Sequence, residues 1–138
     1  MGCDIHCHVE AKIKGQWHYV DELDIDRNYT LFGKMAGVRD KSIEPISKPK
    51  GLPEDMSFMT KFKSELWGED GHSHSWLSAK EVDELEEWIH LDKILPLYKP
   101  LGYLFSNGFD GWIKFPNDFE RVKKMGLEDF RLVFWFDN

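Results

Sequence analysis

Hydrophobic and polar residues alternate strictly at the start of the chain. The odd-numbered positions carry apolar or thiol side chains, namely Cys3, Ile5, Cys7, Val9, Ala11 and Ile13. The even-numbered positions between them are polar or charged, beginning with Asp4, His6, His8 and Glu10. Because successive side chains of a strand point to opposite faces, this alternation predicts a strand whose odd residues face a core. It resumes after Lys14-Gly15, which predicts a β-hairpin over residues 3–20.

Three later segments have the apolar spacing of amphipathic helices, and each is bounded by residues that commonly begin or end a helix. In chain order these boundaries are Asp26 or Asn28 with Gly37, Ser57 with Gly68, and a capping box of Ser78 and Glu81 before Pro96. The acidic residues of the third helix are expected to be solvated, namely Asp83, Glu84, Glu86 and Glu87. Residues 38–55 contain three prolines and are predicted to form a long loop, which is often functional.

The chain ends with an apolar run, Phe130–Phe136, that is typical of a central strand covered on both faces. Before it, Asn107-Gly108 predicts a second hairpin turn and residues 119–125 a short helix. Neither an internal repeat nor a linker divides the sequence. We therefore predict one α+β domain over residues 1–138: an antiparallel sheet from the N-terminal hairpin and the C-terminal strand, with three to four packed helices.

Composition narrows the class of protein. Of the 138 residues, 41% are hydrophobic and 14% aromatic, and the formal net charge is −7. This charge argues against an extended nucleic-acid surface, but a divalent cation can still attract a small anionic ligand such as a nucleotide. No apolar run reaches the ~20 residues of a membrane-spanning helix, so we expect a cytoplasmic protein. Cys3 and Cys7 lie about 13 Å apart along one strand, too far for a disulfide, and are predicted to be buried thiols.

Two His-x-His pairs carry the candidate chemistry. His6 and His8 share the polar face of the first strand, about 6.6 Å apart, within reach of one metal ion. The second pair, His72 and His74, is predicted to lie at a turn before the third helix. Imidazole and carboxylate ligands suit a divalent metal such as Zn²⁺ or Mn²⁺. The predicted metal ligands are His6, His8, Asp4, Glu10, His72 and His74, and the predicted catalytic residues are His72, His74 and Asp4.

Three functions are compatible with these residues. The function we predict is a metal-dependent hydrolase of a phosphoester or small nucleotide, in which Arg27, Arg39 or Lys99 holds phosphate. The second is a nucleotide-binding module without turnover, in which the aromatic segment 103–112 stacks a base. The third is a protein–protein inhibitor whose histidines are structural. An exposed hairpin would present the same polar face, so the pattern alone leaves all three open.

Four segments together resemble an uncharacterised family of small bacteriophage and bacterial proteins. They are Met-Gly-Cys-Asp-Ile-His, Asp-Arg-Asn-Tyr-x-Leu-Phe, His-Ser-His-Ser-Trp-Leu and Phe-Trp-Phe-Asp-Asn. The resemblance implies an accessory or anti-defence factor in the host cytoplasm, which destroys or sequesters a nucleotide signal or blocks a host protein. It implies no catalytic residues, so the chemistry rests on the histidines alone.

Overall fold

The two ends of the chain form the centre of an antiparallel sheet. The computed structural model describes residues 2–91, 113–114 and 124–137. Its strands are β1 (Asp4–Ile13), β2 (Gln16–Ile25), β3 (Gly71–Ser78), β4 (Ile113–Lys114) and β5 (Asp129–Asp137). They are ordered β3-β5-β1-β2, and the short β4 pairs with the outer edge of β2. The predicted α+β class and the central position of the C-terminal strand are confirmed.

Each described helix begins after a residue whose side chain caps it. The helices are α1 (Tyr29–Ala36), α2 (Phe58–Trp67) and α3 (Ala79–Leu91). The structure selects Asn28 as the first N-cap, because its side chain accepts a hydrogen bond from the backbone N–H of Leu31. Gly37 ends α1 with a φ of 72°, a left-handed conformation that suits glycine. At α3, Ser78 and Glu81 each accept the other's backbone N–H, which confirms the capping box.

The sheet has two unlike faces. Cys3 and the odd-numbered residues of β1 are buried, and most of them join α1, α3 and the even-numbered residues of β5 in one hydrophobic core. We call this side the core face. The even-numbered residues of β1 share the other side with Trp135 and Arg131, and we call it the histidine face. Helix α2 is linked to the histidine face through Thr60 and Trp67.

Two local predictions were wrong. The segment that carries His72 and His74 is an edge strand, β3, rather than a turn before a helix, because it pairs with β5. On α3, Glu86 is only 3% exposed, whereas the acidic residues were expected to be solvated. Glu86 follows Val82 by four positions, so it lies next to the buried stripe rather than opposite it.

Of the remaining local predictions, some agree with the structure and others concern residues that it does not describe. The loop over residues 38–55 contains no helix or strand, and the Lys14-Gly15 turn joins two strands, of which β2 extends to Ile25. The turn at Asn107-Gly108, the aromatic segment 103–112 and Lys99 lie outside the described residues, as does most of the predicted helix 119–125. Within the described ranges, no helix is both long and apolar enough to cross a membrane.

Candidate functional site

Trp135 is the centre of a histidine cluster on the histidine face. Its side chain is fully buried, and β-sheet pairing places it directly opposite His6. Three imidazole rings surround the indole, with ring centroids 4.9 Å away for His8, 5.9 Å for His74 and 6.4 Å for His6. The cluster therefore brings together three of the predicted metal ligands from two strands that are not neighbours.

His6 is held by a carboxylate from the end of β5. Its Nε2 lies 2.6 Å from Asp137 Oδ2, and both side chains are mostly buried, with 17% and 20% of their surfaces exposed. The imidazole ring also packs on Trp67, at a centroid distance of 4.1 Å. A carboxylate bonded to one ring nitrogen fixes the orientation and the tautomer of the imidazole. Nδ1 is then the His6 atom left for a ligand.

His8 is buried and has one nitrogen without a partner. Its Nδ1 lies 2.9 Å from the hydroxyl of Tyr19, on the neighbouring strand β2. No hydrogen bond to the buried Nε2 atom is found within the described part of the chain. Burial, together with smaller electrostatic contributions from Lys63 and His6, lowers the pKa of His8 to about 4. The ring is therefore neutral at physiological pH, which is the form that binds a metal or accepts a proton.

The second His-x-His pair is divided between the two faces of the sheet. The pairing of β3 with β5 shifts between His72 and Ser75, and Ser73 adopts a φ of 54° at this irregularity. As a result His72 lies opposite Phe136 on the core face, where its Nδ1 meets the Ser73 hydroxyl at 2.9 Å. His74 instead reaches Trp135 on the histidine face. Its pKa is lowered by burial and then by the charge of His72.

Gly71 lies where the cluster is most crowded. A Cβ atom at this position would be 3.3 Å from His74 Nε2, 3.3 Å from Trp135 Cδ1 and 3.4 Å from Trp67 Cβ. The missing side chain therefore allows three large rings to approach the same stretch of backbone.

The two predicted carboxylate ligands have other partners. Both oxygens of Asp4 accept hydrogen bonds from Arg27, at 3.0 and 3.1 Å, on the exposed end of β1. Glu10 is completely buried, where Arg131 Nε donates to Oε1 at 2.8 Å and Arg131 Nη2 lies 2.7 Å from the same oxygen. Its Oε2 accepts from Ser57 N and Thr60 Oγ1. Neither carboxylate joins the histidine cluster in this arrangement, and Arg27 is engaged by Asp4 instead of being free for phosphate.

A metal ion would require some rearrangement of these side chains. Among the described residues, no three His, Cys, Asp or Glu side chains are already grouped to hold one. The donor chemistry nevertheless fits, because His8 and His74 are kept in their neutral form and the buried Nε2 of His8 is unpaired. Buried polar atoms normally have partners, so an orphan nitrogen beside two further imidazoles is the feature that points to a ligand.

Sequence reasoning missed the residues that support the cluster. They are Tyr19, Lys63, Trp67, Trp135 and Asp137, which come from three separate elements. Only the pairing register of β5 on β1 places Trp135 and Asp137 beside the histidines. The sequence of the C-terminal strand does not show which of its residues lie beside the histidines, because that strand is apolar on both faces.

Comparison with known proteins gives no family for this chain. The sequence matches no protein-family profile, and neither curated proteins nor solved structures include a significantly similar one.

Proposed function

We propose that the protein is a metal-dependent hydrolase of phosphoesters whose metal site lies on the histidine face. One observation supports this proposal most strongly. His6 and His8 each have one ring nitrogen engaged by a polar partner, Asp137 or Tyr19, which leaves the second nitrogen for a ligand. Metal-binding histidines characteristically have such a partner on the nitrogen that does not bind the metal.

The proposed ligands are His6, His8 and His74. When His6 donates its Nε2 proton to Asp137, the lone pair is on Nδ1. When His8 donates its Nδ1 proton to the Tyr19 hydroxyl, the lone pair is on the unpartnered Nε2. Three protein ligands would leave a position for water, as in catalytic zinc sites. The choice between Zn²⁺ and Mn²⁺ follows only from donor type, since nitrogen-rich sites favour zinc.

The surroundings suit an anionic substrate with an aromatic group. A bound divalent ion supplies a Lewis acid and an activated water. Lys63 is close enough to lower the pKa of His8, and its amino group can attract a phosphate. Trp67 is 37% exposed beside His6, so part of its ring can stack on a nucleobase. These residues favour a small nucleotide or another phosphoester.

Metal content is the first test. We expect the purified protein, reconstituted with Zn²⁺ or Mn²⁺, to hold close to one ion per chain by plasma mass spectrometry. His8→Ala and His74→Ala should lose it, and Asp137→Asn should weaken affinity roughly 10- to 100-fold. His72→Ala and the exposed His18→Ala are matched controls that should retain the ion, because neither side chain lies in the cluster. Metal loss in His72→Ala alone would contradict the ligand set.

Turnover is the second test, and it separates hydrolysis from sequestration. The loaded protein should cleave a simple phosphodiester such as bis(p-nitrophenyl) phosphate, and the His74→Ala variant should not. A nucleotide that binds stoichiometrically and is recovered unchanged after heat denaturation would favour the alternative, a binding module that uses Trp67 as its stacking surface. Absence of metal after reconstitution would exclude the metal-dependent mechanism.

A further inference from the structure

Helix α2 is amphipathic in the opposite sense to a normal surface helix. Its two buried side chains are polar, Thr60 and Ser64, and Thr60 donates to the buried Glu10. Its apolar side chains face solvent, with exposed fractions of 80% for Phe58, 70% for Leu66, 47% for Phe62 and 41% for Met59. We call these four residues the α2 stripe.

The α2 stripe is contiguous because its members are one turn apart. Phe58, Phe62 and Leu66 are spaced by four residues and fall on one side of the helix. The rings of Phe58 and Phe62 are stacked, with centroids 6.3 Å apart. An exposed apolar surface of this kind is typical of an interaction site.

We infer that the α2 stripe is a homodimer interface, in which α2 packs antiparallel against α2 of a second copy about a two-fold axis near Lys63. In an antiparallel helix pair related by such an axis, position 63 − n of one helix faces position 63 + n of the other. Lys61 of each copy then faces Glu65 of the other, so two ion pairs form on one flank of the stripe. This reciprocal charge match favours a second copy over an unrelated partner.

The arrangement at the axis is also compatible with this pairing. The two copies of Lys63 would meet there as like charges. However, the Lys63 amino group lies 5.7 Å from the centroid of the Tyr19 ring in its own chain. The side chain therefore turns toward the sheet and away from the second copy.

The area is sufficient for a specific but modest dimer. Large apolar side chains bury about 150–250 Å² each, so at their observed exposures the four residues offer roughly 500 Å² per copy. Two copies would bury about 1,000 Å², which is near the lower limit for a biological interface. We therefore expect an association that depends on protein concentration.

Sedimentation velocity over a wide concentration range tests the inference. The wild-type protein should shift from 16.3 kDa towards twice that mass as concentration rises. The double variant Phe62→Asp/Leu66→Asp should stay monomeric. Met125→Asp, which changes an exposed methionine outside α2, is the matched control and should dimerise normally. Circular dichroism melting should show that all variants are folded.

Charge exchange distinguishes this interface from any other. Lys61→Glu should weaken dimerisation about tenfold, because both ion pairs become like-charge contacts. Lys61→Glu/Glu65→Lys restores the opposite charges and should recover the wild-type dissociation constant. A monomeric wild type at all concentrations would overturn the inference, as would a dimer unaffected by Phe62→Asp/Leu66→Asp. Failure of the double exchange to rescue Lys61→Glu would overturn the antiparallel register.

Discussion

The polar residues of β1 form two neighbouring groups on the same face of the sheet, which we call the Glu10 end (residues 10–12) and the His8 end (residues 4–8), and the two groups are satisfied differently. At one end, Glu10 is fully buried and both of its oxygens have partners, from Arg131, Ser57 and Thr60. At the other end, His8 is almost as buried, yet its Nε2 has no partner within the described chain. The first end shows how the fold satisfies a charge that only stabilises structure.

This contrast supports placing the proposed site at the His8 end. A buried polar atom without a partner destabilises the folded protein by about 1–3 kcal/mol, so it is retained where something other than stability requires it. The orphan atoms of His8 and Trp135 lie together, beside the Asp137-bound His6. At the Glu10 end, Arg131 Nη2 also lacks a well-aligned hydrogen bond, but it lies 2.7 Å from Glu10 Oε1 and is ion-paired there. The guanidinium carbon lies 3.9 Å from the centroid of the Trp17 ring. We expect mutations to affect stability at the Glu10 end and ligand binding at the His8 end.

The largest effect is expected from Arg131→Met. This change leaves the Glu10 carboxylate buried without its cation, which should lower the free energy of unfolding by roughly 3–5 kcal/mol. Urea denaturation measures the change. Arg27→Met is the matched control, because it removes an ion pair to Asp4 that is about half exposed, and solvent-exposed ion pairs contribute little to stability. Equal losses in the two variants would show that the Glu10 end is not the structural one.

A second, smaller effect is expected on how the stability of the protein depends on pH, through His8. The pKa of His8 is lowered to about 4 in the folded protein, below its ordinary value of 6.5. The unfolded chain therefore takes up a proton first as pH falls. The stability that His8 contributes is complete above pH 6.5 and is lost progressively toward pH 4, by up to about 3 kcal/mol.

His8→Leu tests this expectation. The variant should lose that part of the acid sensitivity, remain as stable as wild type at pH 7, and bind no metal. The change removes the unpaired Nε2, and the Tyr19 hydroxyl that loses its bond to Nδ1 belongs to a partly buried side chain that can bond to water instead, so stability is retained. Thermal unfolding between pH 4 and 7 measures the difference, with the exposed His18→Leu as control. Parallel pH curves for wild type and His8→Leu would mean that folding does not lower the pKa of His8.

The local elements of this fold could be predicted because local signals determine them. Alternation defined β1, capping residues defined the three helices, and Lys14-Gly15 defined the first turn. Glu86 shows the limit of such reasoning. Burial and the nearby Asp83 raise the pKa of Glu86 to about 7. From the sequence, its charged side chain and acidic neighbours suggested an exposed position. Only the direction in which α3 packs on the sheet distinguishes Glu86 from its exposed neighbours.

The candidate site was harder to predict because it depends on register. A shift of one residue between β1 and β5 would replace Trp135 opposite His6 by a core residue. The irregularity at Ser73 has an equally large effect, since it separates His72 from His74 although the two are an i, i+2 pair. Sequence identified the histidines of the site, but the supporting Tyr19, Trp67 and Asp137 follow from long-range pairing alone.

The smallest effect on stability is expected from Gly71→Ala, which sharpens the comparison at the His8 end. Gly71 has an ordinary extended backbone, with φ −83° and ψ 137°, so alanine introduces no backbone strain. Its Cβ would instead press on His74 Nε2 and Trp135 Cδ1, each 3.3 Å away. The gain from a stiffer unfolded chain, about 0.4–1 kcal/mol, should largely offset this crowding.

We therefore expect a melting temperature close to wild type but weaker metal binding, because His74 is displaced. Calorimetric titration with Zn²⁺ measures the affinity. If unchanged affinity accompanied a large loss of stability, Gly71 would be required for packing, and the three rings around it would form a structural cluster like the one at Glu10.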